Sequence, residues 1–292
     1  MPHEPPAYHS EPYWDERFKK EEHFEWLGDG SDTIVPVLRK YLEQYTSNPP
    51  KTTNEDAGPS VIPSPPKLLH IGVGTSTLHE QLRGVYEEVF AGRPGGSELL
   101  KDVIVNTDFS EQAVEKGRQA SVGQSMVCWE QVDLLRWGSL EELKRKELAR
   151  IRNSELEGNV GGKEGEPGPY NIVIDKSTSD AISCGEDLKF RDGDDTSKMG
   201  MHPNIASMLS KTPSHQFLVL EPVELLAIHL ASLWRPNCIK NDFHAIQRFS
   251  NNMCDILTTE HISTPLNCSG AGILSGTTQG GRISQFSAIR TT

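Results

Sequence analysis

The sequence has little cysteine, little basic charge and no long apolar run. Its five cysteines, Cys128, Cys184, Cys238, Cys254 and Cys268, are odd in number and widely spaced. No C-x-x-C occurs, so neither a disulfide framework nor a zinc knuckle is indicated, and reduced thiols are the expected state. Lys and Arg number 29 against 41 Asp and Glu, a formal net charge of -12. That balance argues against a nucleic-acid-binding surface. The N-terminus, M-P-H-E-P-P, lacks the apolar core of a secretion signal, and nothing approaches the roughly 20 apolar residues of a membrane span. A cytoplasmic or nuclear protein is expected, with neither membrane nor nucleic acid among its partners. Three familiar site motifs are missing as well. The chain has no G-x-G-x-x-G, no G-K-[ST] after its first strand-like run and no G-x-S-x-G. No His, Cys and Asp spacing suits a metal, so none is expected. Apolar residues make up only 35% of the 292, which points to polar, poorly ordered segments around an ordinary core.

What the sequence does contain is organised around residues 67–78, K-L-L-H-I-G-V-G-T-S-T-L. A short apolar run meets Gly72 and Gly74, and an amphipathic segment with a Ser/Thr start follows. This is the pattern of a buried strand, a tight turn and a helix N-terminus. Glycines at such a turn let the backbone approach a ligand closely, although the same pattern also marks turns with no ligand. A second strand-like run at 103–105 is followed by Asp108. A carboxylate at the end of the second strand is where a ribose is held in doubly wound folds.

Three regions are expected along the chain. Residues 1–45 form an N-terminal cap, with dense aromatics at 13–26 and a helix over 32–45. Residues 46–66, rich in Ser, Thr, Asn and Pro, form a flexible linker. From 67 to 292 short apolar runs alternate with helical patterns. Strands are expected at 68–72, 102–106, 126–132, 170–174 and 216–220, and helices near 75–86, 110–120, 140–151, 178–182, 204–209 and 223–233. The helix over 140–151 is heavily charged and reads as solvated. Flexible insertions are expected near 152–169 and 189–200, and 283–289 alternates like a final edge strand in an otherwise irregular C-terminal part. The fold class is therefore α/β: a doubly wound, mostly parallel sheet with helices on both faces.

Asp108, Asp133, Asp175 and Glu221 each stand just beyond an expected strand. Strand ends on one edge of a parallel sheet converge on one crevice. Four acids there would repel one another, so several must be hydrogen-bonded to a ligand or to backbone amides. A ligand with ribose hydroxyls, an exocyclic amine and an ammonium group would satisfy them, and S-adenosylmethionine has all three.

The residues Y-W-D-E-R-F at 13–18, F-E-W at 24–26, the glycine stretch at 68–78, N-T-D-F-S at 106–110 and V-I-D-K-S-T-S-D-A-I at 173–182 form a recognisable set. With them the chain resembles class I S-adenosylmethionine-dependent methyltransferases, which are Rossmann-like. Within that class it is similar to the eukaryotic group containing the elongation-factor lysine methyltransferases. The segment E-P-V-E-L-L-A-I-H-L-A-S-L-W-R-P at 221–236 is close to fungal relatives. The resemblance implies that Gly72 and Gly74 approach the methionine portion of the cofactor and that Asp108 binds the ribose. It implies that Phe109 stacks beside the adenine and that Asp133 accepts from its amine. Tyr13, Trp14 and Arg17 would close over the cofactor, and Asp175 and Lys176 would lie beside the reacting centre. The chain departs from the family pattern in three places. G-V-G-T-S replaces G-C-G-N-S, S-T-S-D at 177–180 replaces G-T-L-D, and N-C-I-K-N-D-F-H follows Pro236 where a glycine pair and an apolar strand are usual.

Asp175 has two readings. It orients the acceptor as the catalytic carboxylate, or it is a strand-end acid bonded to backbone amides. His229 reads as a core histidine and His202 as a surface one. Three functions remain open: methylation of a protein lysine, ranked first; methylation of a small molecule in fungal secondary metabolism; and a weakly active subunit that works with a second methyltransferase-like protein. A deep apolar pocket behind Asp175 would favour the second, a shallow acidic groove the first, and a collapsed cleft the third.

Overall fold

The computed structural model describes residues 6–26, 28–47, 64–90, 96–154, 168–191, 201–213 and 216–234, with the backbone of strands at 247–250, 253–256, 274–279 and 282–288. Much of the expected linker and of the two insertions, and the segment that follows Pro236, fall outside the described residues.

The centre of the fold is β1, Leu68–Ile71, buried along its whole length. β2, Ile104–Asp108, pairs with it in parallel, and β3, Val127–Gln131, pairs in parallel with β2. The chain then returns across the sheet to place β4, Ile172–Asp175, on the other side of β1, again parallel. The order is thus β3-β2-β1-β4, with the reversal between β1 and β4. In such sheets ligands bind outside the carboxyl ends of the strands at the reversal.

Both faces of the sheet are covered, because side chains alternate between them. Leu68, Ile104, Val127 and Ile174 pack against α2, Ile34–Ser47, and α3, Leu78–Phe90, through Leu38, Leu42, Leu82, Val85 and Tyr86. Leu69, Ile71, Val105 and Val173 pack on the other face against α6, Trp137–Ser154, and α9, Pro222–Leu233. This is the mostly parallel, Rossmann-like α/β arrangement that the alternation of the sequence predicts. Two smaller helices, α4 at Gly96–Leu99 and α5 at Glu111–Ala120, flank β2 in sequence.

Four expectations need correction. The run at 216–220 forms β6, Leu218–Leu220, but not in the main sheet. It pairs antiparallel with β5, Leu188–Phe190, in a sheet of its own. Leu218 and Leu220 are buried there against Ile205 and Leu209 of α8, Pro203–Leu209, and against Leu225 and Ile228 of α9. A local apolar cluster therefore captures this strand. The place beside β4 goes to β7, Gln247–Ser250, which is parallel to it, and β8, Met253–Ile256, follows antiparallel. Lys189 and Phe190, at the start of the insertion expected near 189–200, are consequently strand residues. The C-terminal alternation forms β10, Arg282–Ala288, but it pairs with β9, Leu274–Gln279, as a separate two-stranded unit and not as the sheet's edge.

The fourth correction concerns α6. Its charges are not all solvated. Glu147 is fully buried and is held between Lys67 and Arg150. Arg150 also reaches Glu130 of β3 at 2.7 Å. The helix thus buries its apolar stripe on the sheet and fastens one end by charge. Such pairing offsets the cost of burying the carboxylate.

The N-terminal segment lies over the carboxyl edge of the sheet. Trp14 and Phe18 of α1, Glu11–Lys20, are buried against Ala113 of α5, with Tyr8, Phe24 and Trp26 around them. Asp15 accepts a hydrogen bond from Ser110 Oγ, and Lys116 Nζ donates to Glu21 O at 3.2 Å. Among the described residues no helix is long and apolar enough to cross a membrane.

Candidate functional site

The turn after β1 brings the first groups to the edge. Gly72 and Gly74 both have left-handed backbones, with φ of +55° and +57°. A Cβ on Gly72 would lie 2.0 Å from Thr178 Oγ1, so the turn closes onto the loop after β4 as well as toward the crevice. Thr178 Oγ1 in turn donates to Ile71 O at 3.0 Å. The Gly74 amide donates to Asp108 Oδ2 at 2.8 Å, and the Ser110 amide donates to Oδ1 at 2.9 Å. Burial pushes the Asp108 carboxyl up to about 6, against the lowering effect of these two amides, and nearby Asp15 raises it further. An acceptor so poorly solvated is ready to receive further donors.

These groups border a cavity of about 350 Å³, within the roughly 300–1,000 Å³ of small-molecule sites. Along the sheet edge its lining runs from Asp133 after β3, through Asp108 and Phe109 at β2 and Gly72 to Ser76 at β1, to Lys176, Ser177 and Thr178 after β4. Its apolar lining comes from Ala181, Ile182 and Leu188, which follow β4, and from Leu134 and Leu135, which follow β3. The roof is the N-terminal segment, through Tyr8, His9, Glu11, Trp14, Phe18, Phe24 and Trp26. Its rings pack on one another: Trp14 stacks on Phe18 with centroids 5.4 Å apart, and Tyr8 lies 4.7 Å from Trp26. Trp14 Nε1 donates to Tyr8 O at 2.6 Å, which fixes the indole against the start of the segment.

One clasp holds the roof down. Lys176 Nζ lies 2.6 Å from Glu25 Oε2 and also donates to Gly28 O at 3.0 Å. Glu25 accepts from Ser76 Oγ at 2.8 Å and from the Thr77 amide at 2.8 Å. Burial pushes the Glu25 carboxyl up, but Lys176 and these donors outweigh it and hold it below the ordinary value of 4.5. The clasp ties together the cap, the turn after β1 and the loop after β4.

Of the residues the sequence singles out, Trp14, Gly72, Gly74, Asp108, Phe109 and Asp133 line the cavity together. Asp133 Oδ1 accepts from the Leu135 amide at 3.0 Å. Tyr13 and Arg17 stand behind the roof. Arg17 donates to Tyr13 Oη at 3.0 Å and to Glu21 at 3.0 Å, and its guanidinium lies 3.7 Å from the Phe24 ring centre. Asp175 is 2% exposed and is absent from the cavity wall. Its Oδ1 accepts from the Thr178 amide at 2.9 Å, at the start of α7, Thr178–Ile182. Glu221, expected in the same crevice, is exposed and makes a capping box with Glu224 on α9. It leaves the crevice because β6 leaves the main sheet. His202, read as a surface residue, is buried beside Trp137 with ring centres 4.4 Å apart.

Sequence reasoning missed Tyr8, Glu11, Thr75 and Ser177 in the wall, and the role of Glu25. The only signal for Glu25 was its place between Phe24 and Trp26. Its partner lies 151 residues away.

No protein-family model matches the chain. It is similar to Methyltransferase srdJ of Neurospora crassa, with 28% identity over 185 residues. The similarity covers 62% of this chain and 57% of that protein, so the chain spans little more than half the length of its curated relative.

Proposed function

We propose that the chain is an S-adenosylmethionine-dependent methyltransferase whose acceptor is a small molecule with an apolar body. The observation that carries this reading is a roofed cavity along the carboxyl edge of β3-β2-β1-β4, lined by polar groups at the strand ends and by the apolar Leu134, Leu135, Ala181, Ile182 and Leu188. The residues present fit the cofactor. Thr75, which lines the cavity, has a buried Oγ1 with no hydrogen-bond partner among the described residues. Asp108 is a buried acceptor with room for further donors.

Asp108 would hold the ribose hydroxyls, Phe109 the adenine face, Asp133 the exocyclic amine, and the turn from Gly72 to Ser76 the methionyl portion. Tyr13 and Arg17 would buttress Trp14 in the roof. Asp175 would act by shaping the loop after β4, not by touching the acceptor. When bound there, the cofactor would supply an electrophilic methyl, which the acceptor would take in exchange for a proton while the sulfur kept the electron pair of the broken carbon–sulfur bond. The chain's own contribution is to exclude water under the aromatic roof and to hold the acceptor at attack distance, which supplies much of the rate in such displacements.

The apolar lining favours a small acceptor over the protein lysine that the sequence reading ranks first, nearly level with the small molecule. An open cleft weighs against a purely structural subunit. Calorimetric titration with S-adenosylmethionine and S-adenosylhomocysteine tests the cofactor reading, and micromolar binding is expected. A labelled-methyl assay on cell extract, separated into protein and small-molecule fractions, tests the acceptor. Label confined to protein would overturn the small-molecule reading. Binding of neither nucleoside would overturn the methyltransferase reading itself.

A further inference from the structure

Ser177 combines three features that a merely structural serine would not need. Its backbone is left-handed, with φ +70°, one of two non-glycine residues with positive φ in the described chain. Such a conformation is strained for an L-residue, as it would not be for glycine. It sits at the N-cap of α7, where a serine hydroxyl normally accepts from the first turn of the helix, yet it makes no such bond. Asp175 accepts from the Thr178 and Ser179 amides in its place. The hydroxyl is left buried and without a partner among the described residues, on a residue that is 4% exposed and lines the cavity. A strained residue carrying a buried, unpaired polar group beside a cavity is the combination found where a ligand completes the set.

Its place along the edge says which part of the ligand it meets. The donor would occupy the wall from Asp133 to Ser76, beneath β3, β2 and β1. Ser177 follows β4, as do the apolar lining residues Ala181, Ile182 and Leu188. Resting on the methyltransferase reading, we propose that Ser177 Oγ is the group that positions the methyl acceptor, accepting a hydrogen bond from its O–H or N–H. The acceptor class is thereby narrowed to an apolar molecule with a protic oxygen or nitrogen.

The test needs no knowledge of the acceptor. Sinefungin is the analogue of S-adenosylmethionine in which an amine-bearing carbon replaces the sulfonium sulfur, so its ammonium stands in the place of the transferred methyl and presents N–H donors to the groups around the acceptor position. Affinities for sinefungin and for S-adenosylhomocysteine are measured by calorimetry on the full chain and on Ser177→Ala and Ser177→Gly. Both variants should bind S-adenosylhomocysteine within about twofold of the wild type. Their preference for sinefungin should fall by about tenfold or more, the scale of a lost hydrogen bond to a charged group. Ser177→Gly should melt no lower than the wild type, since it relaxes the left-handed backbone, and it serves as the folded control if the alanine variant is unstable. An unchanged preference in folded variants would overturn the role of Ser177 and leave the cofactor site standing. Failure of the wild type to bind either nucleoside would overturn the methyltransferase reading, and the role of Ser177 with it.

Discussion

At the scale of single residues, Asp108 shows how a fold prepares a carboxylate for a ligand. Two backbone amides hold it, Gly74 at 2.8 Å and Ser110 at 2.9 Å, and burial nevertheless leaves its pKa at about 6. Ribose hydroxyls would donate to the ionised form. Affinity for S-adenosylhomocysteine should therefore be level above pH 7 and should fall as pH drops through about 6, by up to tenfold per unit. Titrations at pH 7.5, 6.5 and 5.5 check this, and affinity that rises toward acid would contradict it. Asp108→Ala should weaken binding by about 1–3 kcal/mol, the scale for a buried hydrogen-bonding partner. Unchanged affinity in that variant would remove Asp108 from the ribose site. The position of Asp108 was legible in the sequence, because an acid ending a second strand has only one place to go. Asp175 looked equivalent by the same rule. The difference is that Ser177 does not cap α7, so Asp175 does.

The unit of interest at the scale of elements is the N-terminal cap. Its aromatics bury themselves on α5 and over the crevice, and the Glu25–Lys176 clasp fixes it to two loops of the sheet. The pair is nearly dry, with side chains 15% and 7% exposed. Removing one charge of such a pair strands the other. Glu25→Gln should lower stability by about 1–3 kcal/mol and should speed proteolytic cleavage of the cap relative to the sheet domain. Identical melting and cleavage would show that the aromatics alone hold the roof. Because the native pKa of Glu25 is depressed, its contribution is present above its ordinary 4.5 and is lost as pH falls below that value. The aromatic stretch announced a packed cap in the sequence. The clasp was illegible, since nothing local to Glu25 or Lys176 marks them as partners.

For the whole molecule, buried histidines set the response to acid. Burial lowers His70 to about 3 and His202 to about 4, and it also lowers His229, which sits 2.8 Å from Leu134 O. The unfolded chain protonates all three near 6.5, whereas the native state keeps them neutral. Their contribution is present above that value and is lost as pH falls below it. Asp108 acts in the opposite sense, because the native state takes up its proton first, at about 6. His79 is lowered by burial as well, while Asp175 and Glu11 are raised as Asp108 is. The ordinary histidine value of about 6.5 lies above the carboxyl range, so the four histidines act first on descending pH and the melting temperature should fall between pH 7.5 and 6. A flat or rising melting temperature over that range would mean that these histidines titrate normally in the native state.

The sequence by itself determined the strand-turn-helix around Gly72, the alternation that builds β3-β2-β1-β4, and the places of Asp108, Phe109 and Asp133. Each of these is written in a few neighbouring residues: an apolar run, a glycine, an acid at a strand end. Tertiary structure alone decided which strand stands beside β4, which acid caps a helix instead of facing the cavity, and which lysine closes the roof. Those outcomes depend on competition between partners far apart in the chain. β6 satisfies local propensity equally well in either sheet, and the cluster of α8 and α9 decides between them. Ser177 belongs to both accounts. Its departure from glycine was visible in the sequence, and its meaning appears only once the left-handed backbone, the unused cap and the cavity wall are seen together.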